Sequence, residues 1–346
     1  MAILVTEFWW VFAGVSLMLV LVKWGNPAYY TTGTVVSLVA MLMFLSTVIR
    51  AMLVAKTIDT DFNTSYNTTS DKSSNPYSIW RTFNGLGDKQ LKPVAHTYVS
   101  YGNKDLSLDF YKAQSTGKQP LVIVIHGGSW SGGDNKQLPE LNTHLANEGY
   151  HVASINYRLA SHKHFPAPIE DVAAAIRYLK SKSAELDIDA NRIVLLGRSA
   201  GAQIAMIAGY TLQDPSIKGV INYYGPADMI WGYHNPANRM VFNSCKIIED
   251  YIGATYKQLP KEYAYSSAVE NVNATIPPTL SIHGITDPLC AYEHSTRLGA
   301  KLQAAGVKHY LLTLPWATHG CDYTLYGPSG QLSTYTTDRF LKLVLR

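Results

Sequence analysis

The chain has 346 residues, enough for one large α/β domain plus an appendage. Its formal net charge of +4 is small and comes with no Lys/Arg cluster or basic stripe, which excludes an electrostatic footprint for nucleic acid. The three cysteines, Cys245, Cys290 and Cys321, form neither a disulfide framework nor a Cys-x-x-Cys metal pattern.

Hydrophobic residues make up 47% of the chain against 16% charged, and the apolar excess collects at the N-terminus. From Phe8 to Val22 no charge occurs; Lys23 follows, and Gly25-Asn26-Pro27 reads as a turn. A second uncharged stretch runs from Ala28 to Ile49 and continues past Arg50 to Lys56. A membrane-spanning helix needs ~20 mostly apolar residues. The second stretch has that length, whereas the first reaches it only by including Ile3 to Val5 and burying or snorkelling Glu7. A cleaved signal peptide fits poorly, because a basic start and a small-x-small cleavage site are both missing. Residues 1–57 are therefore expected to be a membrane anchor built as a two-helix hairpin, with one helix plus an interfacial segment as the alternative. Trp9, Trp10, Trp24, Tyr29 and Tyr30 suit headgroup depth. Arg50 and Lys56 against Lys23 bias the following domain toward the cytoplasm by one charge, too little to assign sidedness.

Residues 58–89 are rich in Ser, Thr, Asn and Asp, the composition of a solvated linker. Asn63-Thr64-Ser65 and Asn67-Thr68-Thr69 match glycosylation sequons, as polar stretches often do by chance. From about residue 90 to 346 strands alternate with helices. Residues 94–102 and 106–113 look like an opening antiparallel pair, and the near-continuous apolar run of residues 120–128 reads as a strand buried on both faces. Further strands are expected at 150–158, 191–197, 218–225, 278–284 and 308–315, with helices after Phe165, from Ala200, near 292–305 and from about Tyr335. This order implies a mostly parallel sheet with right-handed crossovers. The aromatic stretch 226–270 breaks the rhythm and reads as a small cap.

The chemistry centres on Gly197-Arg198-Ser199-Ala200-Gly201, between an expected strand and an expected helix. A turn that sharp needs small neighbours and pushes its apex serine out over the sheet at a helix N-terminus. An acid and a histidine are then required, in that order, after later strands. Asp287 follows the strand ending at Gly284, and His319 follows the strand ending at Pro315. His126-Gly127-Gly128-Ser129-Trp130 completes the set: its glycines allow the N–H groups of Gly127 and Gly128, with that of Ala200, to form an oxyanion hole.

These residues resemble the α/β-hydrolase esterases related to hormone-sensitive lipase and to bacterial carboxylesterases, over roughly residues 90–346. Asn156-Tyr157-Arg158-Leu159-Ala160 and the helix after Phe165 match the segment such enzymes carry before the nucleophile. HGGSW and Arg198 stand where the lipase-like branch has HGGG and an acidic residue, and this form resembles the feruloyl-esterase-like and prenylcysteine-methylesterase-like branches more closely. The resemblance implies an α/β-hydrolase fold and hydrolysis of carboxylic esters with Ser199 as nucleophile, His319 as base and Asp287 as its orienting acid. No metal or cofactor is required.

Asp322, Glu249 and Asp250 are alternative acids, and His162 with His164 is a pair without a nearby third metal ligand. His283 reads as structural and His126 as an organiser of its own turn. Trp130, Trp231 and Trp316 are candidates to line a substrate pocket. Cys290 and Cys321 lie just beyond Asp287 and His319, where either a disulfide or two free thiols fit. The expected partners are an ester substrate and a membrane, not a nucleic acid. Competing readings are an amidase or peptidase using the same three residues, and an inactive membrane-anchored interaction module.

Overall fold

The computed structural model describes residues 2–22, 27–69, 75–84, 89–102, 104–162 and 164–345. Lys23, Trp24 and the Gly25-Asn26 part of the expected turn lie outside the described residues. The chain opens with α1 (Ala2–Glu7), α2 (Trp9–Val22) and the 37-residue α3 (Tyr30–Tyr66), followed by the single turn α4 (Arg81–Asn84). Then come β1 (Val94–Tyr101), β2 (Lys104–Tyr111), β3 (Gln119–Ile125), α5 (Pro139–Asn147), β4 (His151–Ile155), α6 (Ala167–Ser181), β5 (Ile188–Arg198) and α7 (Ala200–Thr211). After β6 (Ile217–Tyr223) the cap contributes α8 (Met229–His234), α9 (Ser244–Ile252) and α10 (Pro260–Ser266). The chain closes with β7 (Thr279–Gly284), α11 (Glu293–Ala304), β8 (His309–Leu314) and α12 (Pro328–Val344).

Among the described residues, eight strands form one sheet in the order β1-β2-β4-β3-β5-β6-β7-β8. β1 pairs antiparallel with β2 and β2 with β4; every other pairing is parallel. β3 shows why its sequence is apolar throughout. Leu121, Ile123 and Ile125 face the layer containing α6, α7 and the cap, while Val122 and Val124 face the layer containing α3, α5 and α12. α5 was not anticipated from the sequence, and α12 begins at Pro328, about two turns before the expected start.

The expected linker does not begin at residue 58. Its first residues are the last turns of α3, because Ile58, Phe62 and Tyr66 recur at helical spacing and are fully buried. Phe62 lies 5.9 Å from the Tyr310 ring, Tyr66 lies 5.6 Å from Phe340, and the Tyr66 hydroxyl donates to Thr279 O at 2.8 Å. On the same side Asp59 accepts from Arg339 and from the Tyr335 hydroxyl, and Arg339 also donates to Asn63 Oδ1 at 2.6 Å. The polar composition hid a docked helix whose polar groups have partners on α12. One consequence is that the Asn63 sequon is helical and engaged.

Among the described residues, α3 is the one helix long and apolar enough to cross a membrane. α2, at 14 residues, is shorter than the expected first span. The two helices pack together, with Phe12 and Phe44 rings 5.5 Å apart, and the short connection makes them antiparallel. α1 does not prolong α2 into a span: Glu7 is buried in the body of the domain, its Oε2 accepting from Ser329 N at 3.1 Å at the start of α12.

Burial outweighs the hydrogen bonds from Ser329 and raises the Glu7 carboxyl from its ordinary value to about 7. A carboxyl raised in the folded state favours docking fully below its unfolded value and loses that contribution as pH rises through the folded one. Hydrogen exchange of residues 2–7 is therefore expected to accelerate as pH rises from about 6 to about 8 beyond the intrinsic rate increase. Glu7→Gln is expected to remove that extra acceleration.

Candidate active site

β5 ends at Arg198 and α7 begins at Ala200, so Ser199 alone makes the turn, with φ 54° and ψ −121°. That conformation is sterically costly for a residue with a Cβ and persists only where the surroundings enforce it. The enforcement comes from close backbone approaches. A Cβ on Gly197 would lie 2.1 Å from Gly201 O, and one on Gly201 would lie 2.2 Å from Ile125 O. Both positions therefore require glycine, and Ser199 N is held by Tyr223 O at 2.9 Å.

His319 follows β8 and Asp287 follows β7, on loops at the same sheet edge. His319 Nε2 lies 2.9 Å from Ser199 Oγ, and His319 Nδ1 lies 2.7 Å from Asp287 Oδ2. Asp287 Oδ1 accepts from the N–H groups of Leu289 and Cys290, each at 2.9 Å, which fixes the carboxylate plane. Burial raises the Asp287 carboxyl, but hydrogen bonds from His283 and His319 outweigh it and hold the group well below the usual carboxylate range. The alternative acids are elsewhere: Glu249 accepts from the Tyr233 hydroxyl, Asp250 pairs with Lys246, and Asp322 pairs with Arg198.

The turn after β3 approaches Ser199 from the other side. Gly128 has φ 121°, and a Cβ there would lie 2.2 Å from Gly132 O. Of the three expected oxyanion donors, the Gly127 N–H is already committed to Gln137 Oε1 at 2.8 Å, because the 134–138 loop folds back over the turn. The N–H groups of Gly128 and Ala200 have no partner among the described residues. His126 is buried and stacked 4.4 Å from Tyr157, its Nδ1 against Gly127 O at 2.7 Å; burial lowers its pKa. His164 Nδ1 bonds Asp250 O in the cap.

A cavity of about 140 Å³ opens beside Ser199 and His319, walled by Trp130, Phe242, Ile247 and Leu289. Of the three candidate tryptophans, only Trp130 reaches it. Trp316 is buried in the opposite core with its Nε1 on Ser329 Oγ at 2.9 Å, and Trp231 packs edge-on to His294 beneath Arg297. Both are positions where aromatic bulk fills structure rather than the site. Cys290 and Cys321 are free thiols, and burial pushes both well above the ordinary thiol value.

His283, read from the sequence as structural, supports the acid directly: its Nε2 lies 3.3 Å from Asp287 Oδ2 and its Nδ1 is 2.7 Å from Ser295 Oγ. Two further supporting residues, Tyr224 and Gln203, carry no sequence signal that singles them out. Tyr224 lays its ring 4.6 Å from that of His319 and donates its hydroxyl to Asp322. Gln203 Oε1 accepts from Trp130 Nε1 and the Tyr251 hydroxyl, both at 3.0 Å, while its Nε2 donates to Ser266 O.

With this geometry established, similarity to known proteins can be stated. The BD-FAE family model matches residues 108–302, more than half of the chain. The chain belongs to the BD-FAE family. It is 29% identical over 241 residues to esterase LipC of Mycobacterium tuberculosis, covering 65% of this chain and 59% of that one. It is 26% identical over 239 residues to the isoprenylcysteine alpha-carbonyl methylesterase ICME of Arabidopsis thaliana, covering 64% and 55%. The chain thus spans less than two thirds of the length of these relatives. Among solved structures, a truncated carbohydrate esterase from gut microbiota superposes with TM-score 0.59 at 24% identity, over 73% of this chain and 99% of that one, which shows a shared fold. This BD-FAE chain has the α/β-hydrolase fold.

Arg198 and Asp322, both buried, tie the serine turn to the histidine loop. Removing one partner of a buried ion pair leaves the other charge uncompensated, at a cost of ~3–5 kcal/mol. Asp322→Ala is expected to lower stability by about that amount in urea unfolding, and more than Asp250→Ala at the exposed Lys246 pair.

Proposed function

We propose that this BD-FAE chain is a membrane-anchored serine hydrolase of carboxylic esters. The observation that carries this reading is the hydrogen-bonded series Asp287–His319–Ser199 at a strained turn, beside two open backbone N–H groups. His319 Nε2 takes the proton as Ser199 Oγ attacks the ester carbonyl, and Asp287 stabilises the resulting imidazolium at Nδ1. The carbonyl oxygen becomes an oxyanion held by the N–H groups of Gly128 and Ala200, to which Gly127 can be added if Gln137 releases it. The C–O bond to the alcohol then breaks and His319 protonates the leaving oxygen. Water, deprotonated by the same imidazole, attacks the acyl-serine and frees the acid.

The names of the relatives, which include an esterase and a methylesterase, support ester hydrolysis. The cavity is close in size to one that holds benzene, ~150 Å³, so it suits a short acyl group or a single ring. The length and apolarity of α3, with α2 packed along it, support the membrane anchor.

A panel of nitrophenyl esters with increasing acyl length tests the reading. Wild type is expected to prefer the shortest members, and Ser199→Ala is expected to lower kcat by at least ~10⁴. Asp287→Asn is expected to lower kcat by ~10⁴. Equal rates for wild type and Ser199→Ala would overturn the hydrolase reading, and a preference for long acyl chains would overturn the assignment of the cavity.

A further inference from the structure

The direction of α3 decides which end of the hydrolase domain faces the apolar helices. Arg50 Nη1 donates to Pro315 O, just past the C-terminal end of β8, at 3.5 Å. Four turns later the Tyr66 hydroxyl meets Thr279 O at the N-terminal start of β7. The docked half of α3 therefore runs antiparallel to β7 and β8, and the residues before Thr47 project beyond the C-terminal edge of the sheet. Ser199, Asp287 and His319 all lie on that edge. α2 leaves from the same place: Glu7 is pinned to Ser329, and Ile3 packs over Gly320, next to His319.

We propose that the mouth of the Ser199 cavity opens against the bilayer, and that the substrate is an amphipathic ester dissolved in lipid, inserted small end first. The inference rests on the membrane-anchored esterase reading and adds the orientation of the site and the source of the substrate. Helix length supports it. At 1.5 Å per residue, α2 is ~21 Å long and α3 up to Ser46 is ~26 Å, against a hydrocarbon core of ~30 Å. Helices this short reach across only if the domain sits directly on the interface. The surface at that end is suited to it. Trp10 and Phe83 are in ring contact at 5.5 Å where the hairpin meets the domain, with Trp80 exposed close by in sequence, the residue type that favours headgroup depth. Ile285 and Tyr323, on the Asp287 and His319 loops, are also exposed. In the cap, Met240 is 95% exposed and Val241 stands beside it, within a loop whose Phe242 lines the cavity. The cavity takes only the small end of an ester, so an apolar remainder at the mouth stays in lipid.

The full chain, in a Cys245→Ser background, is placed in phosphatidylcholine vesicles after labelling Met240→Cys or Lys118→Cys with an environment-sensitive fluorophore. Lys118 is exposed at the opposite edge, just before β3. Cys290 and Cys321 are buried and stay unlabelled in the folded protein. Fluorophosphonate labelling of Ser199 verifies that each variant is folded, and flotation measures attachment. The expected result is co-flotation, with the label at 240 quenched several-fold more by headgroup nitroxide lipid than the label at 118. Hydrolysis of a lipid-dissolved short-acyl ester is expected to follow its mole fraction in the vesicle rather than its bulk concentration. Co-flotation with equal quenching at both positions, or stronger quenching at 118, overturns the orientation while the anchor stands. Co-flotation and hydrolysis of a soluble ester, without hydrolysis of the lipid-dissolved one, overturns the substrate source. Absence of co-flotation overturns the anchor and the proposal with it.

Discussion

The structure turns on the close approach of the end of β5, at Gly197, to the start of α7, at Gly201. A side chain on Gly197 would strike the carbonyl of Gly201, and one on Gly201 would strike the backbone at the end of β3, so neither position tolerates one. Ser199 is forced into positive φ between them. Because β3 and β5 are neighbours in the sheet, the same contact sets the distance between Ser199 and the Gly127-Gly128 turn. β7 and β8 follow two and three strands further on, so the loops bearing Asp287 and His319 converge on the serine from the other side. Strand order and one tight backbone approach thus place groups from four distant parts of the sequence.

Much of this was legible because the relevant signals are local. A buried parallel strand is a short apolar run, and each site residue stands immediately after such a run. The spacing of Ser199, Asp287 and His319 therefore carried their convergence. Where the sequence misled, the deciding interactions were long-range. The 58–66 segment looks like linker because Asp59, Asn63 and their neighbours are polar, yet their partners Arg339 and Tyr335 lie at the far end of the chain. Trp316 sits three residues before His319 and Trp231 opens the cap, but both turn toward packing positions, since a bulky ring fills a core as readily as it walls a pocket. Nothing in HGGSW reveals that Gln137 returns to bind the Gly127 N–H.

The serine turn carries Arg198, and the structure gives that residue a counterpart. Asp322, three residues beyond His319, neutralises it in the interior, and Tyr224 bridges the acid to the face of the imidazole. A buried ion pair adds little net stability over apolar packing, since desolvation offsets most of the attraction. Its contribution here is geometric: the loop that carries His319 is tied at its far side to the residue preceding Ser199. His283 and the paired N–H groups of Leu289 and Cys290 do the same for Asp287.

Gln203 extends this logic into the cap. One side-chain amide on α7 holds the Trp130 indole, the Tyr251 hydroxyl of α9 and the carbonyl of Ser266 in α10, while the Trp130 and Tyr251 rings stack 4.3 Å apart. The roof of the cavity and the turn after β3 are therefore fastened to the same residue on the helix that starts just after Ser199. Divergence of specificity in such a chain has two unequal routes. Side chains that merely face the cavity, such as Phe242 or Leu289, are free to vary one at a time. Exchange of the cap as a whole is not, because a foreign cap would arrive without the hydroxyl and carbonyl that position 203 is shaped to meet.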